Sequence, residues 1–243
     1  MPNGRMWYLF CARFGKQMGD HFMGMRIDLE ASDGHRFAAY RADPEGAPRG
    51  GIVIIQEVFG LNDHVRGVCD GYAADGYAVV GPALFDRVEK GVELGYQGDD
   101  LARGRELRGA LGWDAPLLDI QGAVDAVKGA GKVGVIGYCW GGSLAWLCAT
   151  RLSVDAAVCY YGGQISDFVE ESPRCPVMLH FGEKDAFIPI EKVELVREKH
   201  GELPLFTYPA GHGFNCESRG DYDPQSASLA RKRTVEFLSE HVG

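Results

Sequence analysis

The stretch that most constrains this chain is Val133-Gly134-Val135-Ile136-Gly137-Tyr138-Cys139-Trp140-Gly141-Gly142. A short β-branched run reads as a buried strand, and the residues from Ser143 to Arg151 read as a helix that begins at once. Between them lies Gly-x-Cys-x-Gly, the sequence form of a sharp strand-to-helix turn, a nucleophile elbow with cysteine at its tip. Backbone is crowded in such a turn, so its flanks need residues without side chains. Gly137, Gly141 and Gly142 meet that need. The new helix directs its N-terminal N–H groups at the tip, where Cys139 is poised to attack a carbonyl carbon. A buried, inert cysteine would not need three glycines around it.

The rest of the chain alternates strand and helix patterns. Met25–Glu30 and Arg36–Arg41 read as a strand pair joined at Ser32-Asp33-Gly34. Residues 51–56 and 77–84 are apolar runs of the kind covered on both faces, and Asn62 is placed to cap a helix between them. Residues 85–98 read as a loop and 99–111 as a weak helix. Asp114 reads as the cap of a helix with Leu117, Ile120, Val124 and Val127 on one face. Strands follow at 155–161, 176–181 and 203–208, with helices at 190–200 (Ile190, Val193 and Val196 inward) and 225–241. This order implies right-handed βαβ crossovers and one α/β domain, a mostly parallel central sheet with helices on both faces. Residues 1–24 read as an N-terminal extension, with Met18, Met23 and Met25 as alternative starts, and the domain spans 25–243.

Length and composition agree with this. The 243 residues, 46% hydrophobic and 24% charged, suffice for a sizeable core. A net charge of −9 without a basic run argues against nucleic acid and against an anionic membrane surface. No stretch reaches the ~18 apolar residues that span a bilayer. The seven cysteines are odd in number and form no CxxC, which fits neither a disulfide framework nor a zinc knuckle. A reducing cytoplasm is expected. No pair of the seven histidines has metal-ligand spacing with a carboxylate, so no metal and no cofactor are expected.

A thiol nucleophile needs a base and a group to orient that base. In an α/β-hydrolase these follow in the order nucleophile, acid, histidine, each after a strand. Asp185 stands after the strand that ends at Phe181, with Glu183 as a rival. His212 stands between two glycines after Tyr208. His180 sits inside a strand and reads as a core residue, while His21, His35, His64, His200 and His241 read as surface or cap residues. The oxyanion hole of this fold uses the N–H after the nucleophile, here Trp140, and one from the loop after an upstream strand, here Val58. Glu57 follows five apolar strand residues, and a carboxylate there either faces water or has a partner in the cleft.

Gln56-Glu57-Val58-Phe59-Gly60-Leu61, Gly137-Tyr138-Cys139-Trp140-Gly141-Gly142, Asp185 and Gly211-His212-Gly213-Phe214 together resemble the dienelactone hydrolases (carboxymethylenebutenolidases). The resemblance implies an α/β-hydrolase fold and opening of an enol lactone to maleylacetate in the breakdown of chlorinated catechols. It casts Cys139 as nucleophile, His212 as base, Asp185 as its orienter, and Glu57 as a glutamate that hydrogen-bonds the resting thiol and takes its proton. It also implies arginines that hold a substrate carboxylate. Arg87, in Leu84-Phe85-Asp86-Arg87, matches the first. Where the family's second arginine is expected, this chain has Cys216, and Arg219 three residues on is the substitute, with Phe59 and Tyr222 completing the substrate-binding set.

The expectation is therefore a cysteine-dependent hydrolase of a small lactone or a carboxylate-bearing ester, acting through a thioester as a monomer or homodimer. The closest alternative is a carboxylesterase or thioesterase of the same fold with another acyl substrate. A glutamine amidotransferase also places cysteine on an elbow and needs His-x-Glu, a spacing that His200 and Glu202 match. A non-catalytic binding protein on this fold is the remaining class.

Overall fold

The computed structural model describes residues 23–243; the expected extension, with Cys11 and His21, lies outside them except for its last two residues. Eight strands form one sheet: β1 (Met25–Glu30), β2 (Arg36–Ala42), β3 (Gly51–Ile55), β4 (Ala78–Pro82), β5 (Val133–Tyr138), β6 (Ala156–Tyr160), β7 (Val177–Gly182) and β8 (Leu205–Tyr208). Their order is β1-β2-β4-β3-β5-β6-β7-β8. The pairs β1/β2 and β2/β4 are antiparallel, and from β4 through β3 to β8 every pair is parallel. Strands β3 to β7 are buried at every residue, which is why they read as continuous apolar runs rather than alternating ones. β1, at the antiparallel edge, is mostly exposed or half-buried.

Among the described residues six helices connect and cover the sheet: α1 (Asp63–Ala74), α2 (Asp100–Leu111), α3 (Asp114–Val127), α4 (Trp140–Arg151), α5 (Ile190–Lys199) and α6 (Pro224–His241). The Asn62 side chain accepts the Val65 N–H and caps α1, as its position implied. Leu117, Ile120, Val124 and Val127 are all buried on one face of α3. Because β3 lies between β4 and β5, the direction of strand progression reverses there. In open α/β sheets ligands bind in the crevice at the carboxyl ends of the strands beside such a reversal.

Four local expectations are corrected. Asp114 does not cap α3; Trp113 holds that position, and the Asp114 carboxylate is engaged by Arg151 Nη1 at 3.0 Å. Ile190 is 41% exposed while Val193 and Val196 are buried. Side chains tilt toward a helix N-terminus, so one on the first residue leans beyond the helix. His64 and His200 are buried rather than superficial. The His200 Nε2–H donates to the Val169 carbonyl at 2.7 Å and its ring lies against Trp146, so the His200–Glu202 pair is committed far from the elbow's needs. Leu84–Arg87, read as the end of a strand running into a loop, form a 3-10 turn.

Candidate active site

Cys139 sits at the end of β5 with φ 55° and ψ −117°, a strained backbone for a residue with a side chain. Its flanks explain why the turn holds. A Cβ on Gly137 would fall 1.8 Å from the Gly141 carbonyl oxygen, one on Gly141 2.3 Å from that of Ile55, and one on Gly142 2.4 Å from that of Tyr160. The glycines therefore serve close backbone approach between β3, β5 and β6. The Cys139 carbonyl accepts N–H groups of Gly142 and Ser143, which starts α4.

His212 comes from the loop after β8. Its Nε2 lies 3.1 Å from Cys139 Sγ, and its Nδ1–H donates to Asp185 Oδ2 at 2.7 Å. The other Asp185 oxygen accepts the N–H groups of Phe187 and Ile188 at 2.8 and 3.0 Å. Asp185 is buried and held from both sides, whereas Glu183 is exposed and bonded to Thr207. Burial opposes a charge on His212, but a negative Cys139 and the hydrogen bonds from Asp185 and Cys139 outweigh it and push the imidazole up to about 10. His180, by contrast, is pushed down to about 3 by burial and by Arg233, and it is held between Tyr208 Oη and Thr234 Oγ1. It is the core histidine that its strand position implied.

The Gln56–Gly60 loop crosses the mouth of β3. The Gln56 side chain accepts the Leu84 N–H at 3.1 Å and donates to the Glu57 carbonyl, tying the ends of β3 and β4. Gly60 has φ +82°, and a Cβ there would lie 2.1 Å from the Val92 carbonyl oxygen. Among the described residues, neither the Val58 nor the Trp140 backbone N–H has a hydrogen-bond acceptor.

Glu57 is 1% exposed, and its Oε1 receives Arg219 Nη1–H at 3.2 Å. Its Oε2 is buried without a partner. This corrects one implication of the resemblance: the partner of Glu57 is Arg219, and the Cys139 thiol is taken by His212. Burying a lone carboxylate costs more than the folded state readily tolerates, so the cation is drawn to it. Arg219 also lies over the Phe59 ring at 5.6 Å and against Gly213.

Val58, Leu101, Arg105, Arg108, Cys139, Gly163, Gln164, Phe187, Ile188, His212 and Arg219 line one cleft. Arg219 is in it as expected; Arg87 is not. Arg87 is held by Asp119 and Asp33 at 2.7–3.2 Å beside the β1–β2 turn, because the carboxylate of Asp119 is fully buried and needs a cation. Phe59 is buried beneath Arg219 and Tyr222 is exposed, and neither lines the cleft. Cys216 is fully buried beside His64 and Tyr96. Sequence reading missed Arg105 and Arg108, which occupy successive turns of α2. Their i, i+3 spacing in a helix bordering the site was the available signal. It also missed Phe187, whose ring stands edge-on to His212 at 5.2 Å.

An α/β sheet with cysteine on an elbow, and with aspartate and then histidine following in chain order, defines an α/β-hydrolase-type site. The profile of the dienelactone hydrolase family matches residues 37–242. A carboxymethylenebutenolidase of Pseudomonas putida is 35% identical over 225 residues, spanning 88% of this chain and 95% of its own. Carboxymethylenebutenolidase 1 of Cupriavidus pinatubonensis is 30% identical over 226 residues, spanning 88% and 95%. A crystal structure described as a dienelactone hydrolase from Klebsiella pneumoniae superposes with a TM-score of 0.76 at 26% identity, covering 89% of this chain and all of its own. A Pyrococcus furiosus esterase, at 15% identity and a TM-score of 0.70, shares the fold. The chain belongs to the dienelactone hydrolase family, and it is a hydrolase acting on ester bonds. No helix of the described residues is long and apolar enough to cross a membrane.

Proposed function

We propose that the chain is a cysteine hydrolase that opens a small enol lactone such as dienelactone, or cleaves a related carboxylate-bearing ester, through a thioester. The observation that carries this is the continuous contact Cys139 Sγ–His212 Nε2–His212 Nδ1–Asp185 Oδ2, at 3.1 and 2.7 Å, at the floor of a cleft.

His212 Nε2, 3.1 Å from Sγ, takes the thiol proton and leaves a thiolate beside an imidazolium. The thiolate attacks the acyl carbon, and the carbonyl oxygen becomes an oxyanion facing the N–H groups of Trp140 and Val58. Each such donor elsewhere contributes roughly 3–4 kcal/mol. Collapse breaks the acyl–oxygen bond, and the leaving oxygen takes the proton from His212. An enolate leaves easily, so a thiol nucleophile suffices. Neutral His212 then removes a proton from water, the hydroxide attacks the thioester, and the thiolate departs to re-form the ion pair. Asp185, fixed by two backbone N–H groups, keeps Nε2 aimed at both sulfur and water. Arg219 balances Glu57 at the cleft wall. A role in aromatic degradation rests on the resemblance to the dienelactone hydrolases, the activity for which the relatives above are named. A reducing, cytoplasmic compartment suits the six cysteines that are free among the described residues.

Cys139→Ala tests the assignment. The purified variant is expected to lose turnover of p-nitrophenyl esters and of cis- and trans-dienelactone by at least about 10³-fold, and near-wild-type activity overturns it. Good ester turnover with no response to either dienelactone favours the simpler carboxylesterase.

A further inference from the structure

The cleft holds two cations that the mechanism above does not use. Arg105 and Arg108 line it together with Cys139 and His212. Neither is paired with a carboxylate: Arg105 lies over the Phe187 ring at 5.3 Å, and Arg108 over Trp113 at 5.3 Å. The other cleft cation, Arg219, is answered by Glu57. Among the described residues no acidic side chain lines the cleft, so these two positive charges stand beside the nucleophile without a paired carboxylate, Asp167 acting on Arg108 only through its field, in a chain of net charge −9. Burial presses Arg108 below the usual guanidinium range, and a negative Cys139 is the largest influence in the other direction.

Their place is built into the fold. Gly104, just before Arg105, lies so close to the loop after β3 that a Cβ would fall 1.9 Å from the Val58 carbonyl oxygen. This contact holds α2 close against the loop that carries Val58, itself part of the cleft lining. Residues one turn apart on a helix share a face, so fixing Gly104 against Val58 fixes both guanidiniums over the cleft. Arg87, matched to the expected carboxylate ligand, is spent on Asp33 and Asp119. The cleft wall therefore supplies from α2 the charge that Arg87 does not.

The geometry points to Arg105 and Arg108 as the residues that receive the substrate's carboxylate, making the chain selective for acyl substrates that carry an anion a few bonds from the scissile carbonyl. This rests on Cys139 acting as the hydrolytic nucleophile. Planar guanidiniums suit the task, since they hold carboxylates through paired hydrogen bonds while their faces stay on aromatic rings.

The test compares two esters that differ only in a terminal carboxylate, mono-p-nitrophenyl glutarate and p-nitrophenyl valerate. The wild type is expected to prefer the glutarate in kcat/KM. In Arg105→Gln/Arg108→Gln that preference ratio is expected to fall by at least about tenfold, mainly through KM. Arg105→Lys/Arg108→Lys keeps the charge and loses the flat stacking, and it is expected to retain a clear part of the preference. Three results overturn the inference: no glutarate preference in the wild type, a ratio unchanged in the glutamine variant, or equal losses on both esters in the lysine and glutamine variants, which would mark the arginines as supports for Phe187 and Trp113. Hydrolysis of neither ester by the wild type, or hydrolysis that survives Cys139→Ala, sinks the functional reading itself and this inference with it.

Discussion

The guanidinium of Arg219 meets the buried carboxylate of Glu57 at 3.2 Å, across 162 positions of sequence. The pair joins the loop after β3 to the loop after β8 at the mouth of the sheet. Removing one partner of a buried pair leaves the other charge stranded, at a cost of roughly 3–5 kcal/mol. Arg219→Met is thus expected to lower unfolding stability by about that amount, and adding Glu57→Gln is expected to recover much of it. Urea unfolding of the two single variants and the double variant reads the cycle. A strictly additive result would mean that the pair is not coupled.

The elbow glycines are expected to tolerate no side chain. At Gly141 a methyl group would lie 2.3 Å from the Ile55 carbonyl oxygen and 2.5 Å from that of Gln56, both backbone atoms that cannot step aside. Gly141→Ala is expected to cost more than about 3 kcal/mol or to leave the protein insoluble, while Gly109→Ala, which meets nothing within 4 Å, is expected to be neutral or mildly stabilising in its helix. Thermal unfolding of the two purified variants checks the contrast.

His212 is expected to titrate near pH 10 in the free enzyme, as burial is outweighed by Cys139 and Asp185. The sign follows from the partners. Cys139→Ala removes the negative sulfur and leaves burial and Asp185, so the imidazole pKa is expected to fall. NMR titration of the His212 ring in the wild type and the variant measures both values. An unchanged or higher value in Cys139→Ala would contradict the thiolate–imidazolium pair.

The boundary between what local chemistry announces and what packing decides runs through the arginines. Strand identity was legible because β3 to β7 are covered on both faces and must be apolar throughout. The elbow was legible because three glycines around one cysteine have no cheaper explanation than close backbone approach, and Gly137, Gly141 and Gly142 are each blocked by backbone oxygens. Asp185 and His212 could be placed because each follows a strand, and strand ends of one parallel sheet meet at one edge.

Charge pairing obeyed no such rule. Arg87 sits in a promising local sequence, yet buried Asp119, from a helix 32 residues away, claims it. Glu57 looked like a partner for the thiol, and Arg219 took it instead. The spacing of Arg105 and Arg108 put them on one helix face, but nothing local said what that face meets; Gly104 approaching Val58 decides it. Sequence by itself determined the secondary elements and the order of the nucleophile, acid and histidine, since these depend on periodicity, turn chemistry and strand ends. Only the tertiary structure decided which cations face the cleft. A long, flexible side chain goes to whichever buried carboxylate the packing brings within reach, and that competition is settled by elements distant in the chain.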